Sequence, residues 1–246
     1  MCRLPFYLLV LCCVIILPAI KGLLPPFIKV CNFTSPDFAK CAVESGKAAL
    51  PSILKGNREL DIPPFHPLKI PLVEFSSGSF RLNATDVVMD GYHNFNITDV
   101  KFDKEQQFLE IDSTSPLFEL NFHINIDGKL GSLRIEGNGP TVIKLYNGTF
   151  AYKFNYKTHK ENGKTFASYE KDEFVAKPAH VYIHIDNLFS GNKLLGDNMN
   201  KFLNENWPDI LEELRPVVSE MVGSVTRRML VNLFKETPLE DMFIGY

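Results

Sequence analysis

Residues 207–235, WPDILEELRPVVSEMVGSVTRRMLVNLFK, decide the fold. Apolar side chains recur there every three or four positions, which places them along one side of a helix. The members of this stripe are Trp207, Leu211, Leu214, Val218, Met221, Val225, Met229 and Leu233, widened by Ile210, Val217, Val222 and Phe234. We expect a helix from Pro208 to Lys235, about 42 Å long at ~1.5 Å per residue. Pro216 should bend it near Glu212, because a proline removes one backbone hydrogen bond.

The N-terminal segment, residues 1–22, has the features of a secretory signal peptide: a short basic start, a long apolar run and small residues at its end. A membrane anchor is the alternative. Pro5 and Pro18 argue against it, since they shorten the uninterrupted apolar run below the ~20 residues that a span needs. We expect cleavage near Gly22 and a secreted, extracellular protein formed by one domain, residues 23–246.

The charge balance gives no indication of nucleic acid as a partner. The chain has 26 basic and 29 acidic residues, and loss of Arg3 and Lys21 with the signal peptide leaves 24 against 29, a net charge of −5. An acidic balance does not attract phosphate backbones or anionic membrane surfaces. We expect no stable membrane insertion either, because no second apolar run reaches spanning length.

Cysteine usage points to an oxidising compartment. Three of the five cysteines lie in the signal peptide, which leaves Cys31 and Cys41 with nine residues between them. A disulfide between them is expected in a secreted chain, and two free thiols are the alternative. The bridge would tie the extended segment LPPFIKV to the helix that follows.

Four Asn-x-Ser/Thr sequons agree with export; they begin at Asn32, Asn83, Asn96 and Asn147. Asn83 and Asn96 are each flanked by apolar residues, and Asn147 has the opposite parity to the aromatic row that follows it. If these segments are strands with the apolar face inward, the three asparagines point to solvent. We therefore predict N-glycosylation.

A second helix is predicted from Pro36 to Leu54, with a proline at the first helical position. Gly46 and Pro51 should interrupt or kink it. The segment that follows holds four prolines between residues 63 and 71. This density excludes a helix or a central strand, so we expect an extended connector that leads into a sheet.

From residue 73 to residue 188 the apolar period changes to two, which is typical of strands with one buried face. The clearest inward positions are Phe118, Leu120, Phe122, Ile124 and Ile126, then Phe150, Tyr152, Phe154 and Tyr156, then Val181, Ile183 and Ile185. Asp127-Gly128 and Asn162-Gly163 have the composition of tight hairpin turns. We expect about eight or nine antiparallel strands.

Geometry predicts how these parts combine. A sheet of that size is about 40 Å across at ~4.8 Å per strand, whereas a helix is only about 10–12 Å wide. We therefore predict an α+β fold in which a strongly curved antiparallel sheet wraps the long C-terminal helix. The interior is filled by aromatic side chains or retains an apolar tunnel; the twenty phenylalanines keep both alternatives open.

The sequence shows no catalytic pattern. It lacks a G-x-S-x-G nucleophile elbow, an H-E-x-x-H zinc motif and a phosphate-binding glycine loop. His180 and His184 are the best pair of metal ligands, but four positions along a strand separate them by about 13 Å, too far for one zinc ion with ligands at ~2 Å. We predict no enzymatic activity, no metal and no cofactor.

Four segments together resemble the insect takeout and juvenile-hormone-binding proteins. These are LPPFIKVCNFTSPDFAKC (24–41), IPPFHPLKIPLVEF (62–75), GYHNFNITDVKFD (91–103) and NLFSGNKLLGDNMNKFLNENWPDILEELRP (187–216). They resemble the family's N-terminal cysteine motif, its proline-rich entry to the sheet, its glycine-to-valine strand segment and the C-terminal motif of takeout-like members. The resemblance extends over essentially the whole mature chain. With a single cysteine pair the chain resembles the takeout branch of the family, since the juvenile-hormone carriers of moths typically have a second pair.

The resemblance implies a long helix wrapped by a curved sheet around a tunnel for an elongated hydrophobic ligand such as a terpenoid hormone or fatty acid, without catalysis. It also implies possible links to circadian rhythm, feeding or chemosensation. The ligand-contacting positions of the family cannot be matched one by one to this sequence. The candidate tunnel residues are therefore chosen as apolar residues on the inward face of the predicted strands and of the C-terminal helix. These are Phe118, Phe122, Phe150, Tyr152, Phe154, Trp207, Leu214, Met221 and Val225. Core packing is the alternative role of each.

We therefore expect a secreted carrier whose partner is a small hydrophobic ligand, with Tyr152 or Tyr156 as a polar contact. Two alternatives stay open. One is a ligand-free protein that acts through a cell-surface receptor or a membrane surface, and the other is a lipid esterase.

Overall fold

The computed structural model describes residues 24–58, 61–130 and 133–246, so the predicted signal peptide lies outside the described residues. Nine strands are present in this part of the chain: β1 (Cys31–Asn32), β2 (Leu68–Ser77), β3 (Phe80–Asp90), β4 (Asn96–Asp103), β5 (Phe108–Leu130), β6 (Leu133–Glu161), β7 (Lys164–Lys177), β8 (His180–Ile185) and β9 (Phe243–Ile244). The helices of the same part are α1 (Phe38–Leu54), α2 (Lys193–Glu205), α3 (Trp207–Glu213), α4 (Arg215–Glu236) and α5 (Leu239–Met242). Strands β2 to β8 form one antiparallel sheet of seven strands, and β1 pairs in parallel with β9.

Two long strands organise the sheet. Strands β5 and β6 have 23 and 29 residues, and β5 pairs over its whole length with Leu133–Asn155 of β6. Each also pairs with two shorter strands: β5 with β3 and β4, and β6 with β7 and β8. The β3, β4 and β7 pairings each contain a register shift, and such bulges bend a sheet and increase its twist. The result is the predicted strongly curled sheet.

The predicted count of eight or nine strands in this sheet is wrong, because the sheet has seven strands and two of them are unusually long. Asp127-Gly128 is not a turn; both residues lie inside β5, opposite Glu136 and Ile135. Glycine is required there for a different reason: a Cβ on Gly128 would lie 2.3 Å from the Ser79 carbonyl oxygen. The strand therefore continues past a residue pair whose composition is typical of hairpin turns.

The second predicted turn and the proline-rich connector agree with the structure. Asn162 and Gly163 join β6 to β7 with positive φ angles of 50° and 80°, as a two-residue hairpin turn requires. The sheet begins with β2, which is an edge strand. Pro71 is exposed and has no partner in the β2–β3 register, so its missing N–H does not break a ladder.

The predicted C-terminal helix is divided. Helix α3 ends at Glu213, α4 begins at Arg215, and Leu214 between them has φ −88° and ψ 2°. Pro216 lies in the first turn of α4, where a helix needs no N–H from it. The predicted bend near Glu212 is thus an interruption at Leu214, and α4 packs against β7.

The N-terminal helix is continuous, so the predicted interruption at Gly46 and Pro51 is wrong, and the alternative of a kink there stays a prediction. Helix α1 begins two residues later than predicted, at Phe38, and runs through both positions. A Cβ on Gly46 would lie 2.9 Å from the Ile97 side chain; the glycine therefore lets α1 approach β4 closely. The predicted disulfide is present, since Cys31 of β1 is bonded to Cys41 of α1.

Helix α2, which the sequence patterns did not predict, covers the outer edge of β8. Asn200 exchanges two hydrogen bonds of 2.9 Å with the backbone of Ile185. Asn204 does the same with Ile183, at 3.0 and 2.6 Å. Two amides four residues apart on a helix thus satisfy alternate residues of a strand, which protects an edge that would otherwise be open.

Candidate ligand cavity between the sheet and two helices

An apolar cavity of about 300 Å³ lies inside the curled sheet. Helices α1 and α4 and strands β4 to β7 form most of its wall, and residues 24–31, the turn at Tyr92 and the C-terminal Met242 and Phe243 complete it. Its main lining residues are Ser45, Gly46, Ala49, Ile53, Ile97, Val100, Leu109, Ile111, Ser113, Phe150, Tyr152, Phe174, Val222, Thr226, Met229 and Leu233. The volume is at the lower end of the ~300–1,000 Å³ range of ligand pockets.

A second apolar lobe of about 80 Å³ adjoins the first. Phe150, Phe174 and Val222 line both. The rings of Phe150 and Phe174 are stacked, with centroids 6.1 Å apart and planes inclined by 22°. This aromatic pair therefore stands where the two lobes meet.

The nine candidate tunnel residues occupy different places. Phe150 and Tyr152 line the main cavity. The second lobe is lined by Phe118, Phe122, Phe150, Leu214 and Met221. Phe154, Trp207 and Val225 line neither volume. Phe154 is fully buried and stacks on Phe234 at 5.5 Å, and Trp207 lies edge-on to His180 at 6.1 Å. Contact of these residues with a ligand remains a prediction.

The sequence patterns missed the contribution of α1 to the cavity. Ser45, Ala49 and Ile53 face the interior from this helix, and Ser45 and Ala49 are buried. Their spacing of four residues was available in the sequence as a helical signal. The apolar periodicity of the strands and helices did not show which helix faces the sheet at this point. The predicted helical residues of the cavity were therefore all taken from the longer apolar stripe of residues 207–235.

Tyr92, one of the residues that line the main cavity, carries a hydroxyl group that is buried inside the protein. Its hydroxyl oxygen is the one buried side-chain N or O atom without a hydrogen-bond partner in the described part of the chain, and Tyr92 lines the main cavity. Burial raises the pKa of this phenol well above its ordinary value. The group is therefore a neutral O–H donor.

Tyr152, predicted as a possible ligand contact, uses its hydroxyl elsewhere. It donates to Asp172 Oδ2 at 2.9 Å. Tyr169 donates to the other oxygen of Asp172 at 2.7 Å, as does Arg227 Nε of α4 at 2.8 Å. Burial, and then the charge of Asp172, raises the pKa of Tyr152. This network, the Asp172 cluster, holds α4 against β6 and β7 at the back of the cavity.

Tyr156, the second predicted polar contact, lies outside the cavity linings, unlike Tyr152. Its hydroxyl donates to the Asp103 carbonyl at 3.4 Å. Ser45 is likewise engaged, because its hydroxyl binds the backbone N–H and C=O of Lys29. The other hydroxyls of the lining belong to Ser113 and Thr226.

One group of side chains in the described residues has a composition suited to a metal ion. His66 Nδ1 and His93 Nδ1 lie 3.0 and 3.5 Å from the same oxygen of Asp90, and the three ligand atoms are within 4.8 Å of one another. All three side chains are between 44% and 55% exposed. A hydrogen bond between His66 and Asp90 joins two of the three groups.

All four predicted glycosylation sites, Asn32, Asn83, Asn96 and Asn147, are exposed. Their modification remains a prediction. Within the described ranges, no helix combines the length and the hydropathy needed to cross a membrane.

A curled antiparallel sheet that encloses an apolar cavity together with helices is the architecture of the tubular lipid-binding fold. The chain matches, over residues 7–244, the family model described as Haemolymph juvenile hormone binding protein. The protein belongs to the haemolymph juvenile hormone binding protein family.

Similar proteins agree with this family. The putative beta-carotene-binding protein of Schistocerca gregaria is 22% identical over 221 residues, which are 89% of this chain and 88% of that protein. The circadian clock-controlled protein daywake of Drosophila yakuba is 21% identical over 215 residues, 82% of this chain and 83% of the relative. The crystal structure of Takeout 1 of Epiphyas postvittana matches with a TM-score of 0.76 at 22% identity, and the match covers 88% of this chain and 100% of that one. This similarity supports the fold.

Proposed function

We propose that the protein is a secreted, extracellular carrier that sequesters one elongated hydrophobic ligand, a terpenoid or fatty-acid lipid, in the cavity. The observation that supports this most directly is the cavity itself, whose lining is almost entirely apolar and lies between α1, α4 and the sheet. Burial of apolar ligand surface contributes roughly 25 cal/mol per Å² before the entropic costs of binding. Membership of the family and the Cys31–Cys41 disulfide agree with this role.

An elongated ligand would occupy both lobes. The main cavity and the second lobe share Phe150, Phe174 and Val222. A rotation of either stacked ring would join the two volumes, so a longer chain can extend towards α3 and the first turns of α4. A circadian, feeding or chemosensory role is proposed only by analogy with takeout-like proteins.

The test is to identify lipid that co-purifies with the protein and to measure displacement of a fluorescent fatty acid. Ala49→Phe places a large side chain in the cavity, because Ala49 is buried in its wall. Its neighbour Ala48 is exposed on the same helix and lines neither lobe. We expect Ala49→Phe to abolish probe binding and Ala48→Phe to leave it unchanged, with both variants folded by circular dichroism.

Two alternatives remain distinguishable. A ligand-free interaction protein that acts through a receptor would yield no co-purified lipid and no probe displacement. A lipid esterase would turn over a model ester. The described residues contain a serine–histidine contact, Ser168 Oγ to His159 Nδ1 at 3.1 Å, but both side chains lie outside the cavity linings. No observation favours either alternative over the carrier.

A further inference from the structure

Two histidines and an aspartate meet at the corner where the proline-rich connector enters the sheet. His66 lies two residues before β2, Asp90 is the last residue of β3, and His93 lies in the single helical turn that follows. The pairing of Leu68 with Met89 brings His66 beside Asp90, although the two are 24 positions apart in the chain. Only the fold brings the three residues together, so the sequence patterns did not indicate them.

The three side chains converge on a single oxygen atom. His66 Nδ1 and His93 Nδ1 lie 3.0 and 3.5 Å from Asp90 Oδ1, and the imidazole centroids are 4.3 Å apart. Zinc with tetrahedral bonds of ~2.0–2.1 Å holds neighbouring ligand atoms about 3.3 Å apart, between the two observed N–O distances. The ligand atoms of all three residues lie within 4.8 Å of one another. Rotation of the partly exposed imidazoles can close the remaining difference.

Hydrogen bonding leaves the position of His93 unexplained. Asp90 Oδ1 already accepts from the Gly91 N–H at 2.7 Å and lies within hydrogen-bond distance of His66 Nδ1. A carboxylate oxygen has about two lone-pair sites, and a third nitrogen at 3.5 Å is beyond the normal hydrogen-bond distance. Two protonated imidazoles this close would also repel each other. One cation bound by two neutral imidazoles and the carboxylate removes both difficulties.

The backbone holds the carboxylate and His93 in place. Gly91 has a φ angle of 111°, and a Cβ there would lie 2.6 Å from the Leu117 carbonyl oxygen. The turn therefore packs tightly on β5, and its N–H orients Asp90 Oδ1. The Asn94 N–H donates to the Gly91 carbonyl at 2.9 Å, which closes the turn that carries His93. Hydrogen bonds of this kind orient the ligands of metal sites.

We infer that His66, Asp90 and His93 form a binding site for one divalent transition-metal ion of the zinc class. Imidazole and carboxylate together suit Zn²⁺ and Cu²⁺, whereas Ca²⁺ and Mg²⁺ prefer oxygen ligands alone. The three side chains are between 44% and 55% exposed, so water completes the coordination. The site involves no lipid and does not depend on the proposed carrier function.

The ion fastens the connector to the end of β3. Phe65 and Tyr92, which are the neighbours of two ligands in the chain, are buried in the wall of the main cavity and meet edge-on at 5.1 Å. The Phe65 N–H donates to the Leu54 carbonyl at 2.9 Å, which links the same corner to α1. A bound ion should therefore stabilise the folded protein, because the unfolded chain does not hold the three ligands together.

A zinc titration of tag-free protein tests the inference. The protein is treated with EDTA, dialysed and titrated with Zn²⁺ in competition with a chromophoric chelator, with Ca²⁺ and Mg²⁺ as comparison ions. The site variants are His66→Gln, His93→Gln and Asp90→Asn. His184→Gln is the matched control, because His184 is 45% exposed and lies 3.1 Å from a carboxylate oxygen of Asp186, yet belongs to no group of three ligands among the described residues.

We expect one zinc ion per chain and no measurable binding of Ca²⁺ or Mg²⁺. Each site variant should weaken zinc binding at least about tenfold, and His184→Gln should leave it unchanged. Zinc at ~100 times its Kd should raise the melting temperature of the wild-type protein by about 5–10 °C, and that of the site variants much less. His66 and His93 are exposed, so their glutamine variants should melt like the wild-type protein when metal is absent.

Zinc binding that is unchanged in His66→Gln and His93→Gln would overturn the inference, because the ion would then bind elsewhere. Absence of zinc binding, or an equal loss in His184→Gln, would overturn it as well. So would zinc binding without a rise in melting temperature, since the unfolded chain would then bind zinc equally well. None of these outcomes bears on the carrier function, which lipid binding tests separately.

Discussion

Replacement of Arg227 by methionine should destabilise the protein far more than the same replacement at the adjacent Arg228. Arg227 Nε lies 2.8 Å from Asp172 Oδ1, and the Asp172 side chain is only 5% exposed. A Cβ on Gly223 would lie 3.1 Å from the other oxygen of Asp172, so α4 closes over the carboxylate and leaves little room for water. Arg227→Met would leave this charge buried without its cation.

The expected loss of stability depends on the hydrogen bonds that the Asp172 carboxylate keeps in the variant. Removal of one partner of a buried ion pair typically costs about 3–5 kcal/mol. Asp172 keeps two phenol donors, Tyr152 and Tyr169, and Arg227 is itself 27% exposed, so we expect the lower part of that range, about 2–3 kcal/mol. For a chain of this size the melting temperature should fall by about 5–10 °C.

Arg228→Met is the matched control on the same helix. Arg228 pairs with Asp61, and both side chains are more than half exposed, so the expected loss is below about 1 kcal/mol. Urea unfolding of the wild-type protein and both variants, with the disulfide intact, measures the difference. In the Arg227→Met background, Asp172→Asn should recover part of the stability because it removes the stranded charge.

Equal losses in Arg227→Met and Arg228→Met would refute the reasoning. So would a loss in Arg227→Met that disappears in high salt, because a buried pair is screened much less than an exposed one.

Three further predictions concern the edge of the sheet, the C-terminal segment and the cavity. Asn204→Ala should lower the free energy of unfolding in urea by about 2 kcal/mol, since it leaves the N–H and C=O of Ile183 without partners. Asn198→Ala, at an exposed position of the same helix, should lower it by almost nothing. Similar losses in both variants would contradict the edge-covering role of α2. Although burial acts to raise the pKa of Glu240, hydrogen bonds from the Thr165 hydroxyl and N–H outweigh it, and the pKa is lowered from 4.5. The stabilisation from Glu240 should therefore be complete above about pH 4.5 and be lost as the pH falls through the folded-state pKa; a Glu240→Gln defect that is no smaller at pH ~3 than at pH ~7 would show that this linkage is absent. Phe174→Ala should join the two lobes and shift binding towards longer fatty acids in a displacement series, at a stability cost of about 3 kcal/mol; an unchanged chain-length preference would show that this ring does not separate the lobes.

Local periodicity was enough to predict much of the fold. The aromatic row Phe150, Tyr152, Phe154 and Tyr156 is buried as its alternation indicates, because side-chain direction in a strand follows from backbone geometry alone. Asn162-Gly163 forms the predicted hairpin because two residues with positive φ are a local requirement. The interruption before Pro216 has an equally local cause.

The errors arose where a distant contact overrides a local signal. Asp127-Gly128 has the composition of a turn, yet the close approach of Ser79 is what requires glycine there. Gly46 is a residue type that disfavours helices, yet its missing Cβ permits α1 to lie against Ile97 of β4. In both cases the missing Cβ allows close packing between segments that are far apart in the chain. A local stretch of sequence holds no information about such a contact.

The sequence by itself determined which strand residues face inward, the cysteine pair and the need for a curved sheet around helices, because these follow from period, composition and the widths of the elements. Only the tertiary structure decided that α1 forms a wall of the cavity, that Asp172 meets Arg227 across 55 positions, and that the Tyr92 hydroxyl is buried without a hydrogen-bond partner. These features depend on which surfaces meet. The long apolar stripe of residues 207–235 had to be buried against other parts of the chain, and only the folded structure shows which side chains bury it.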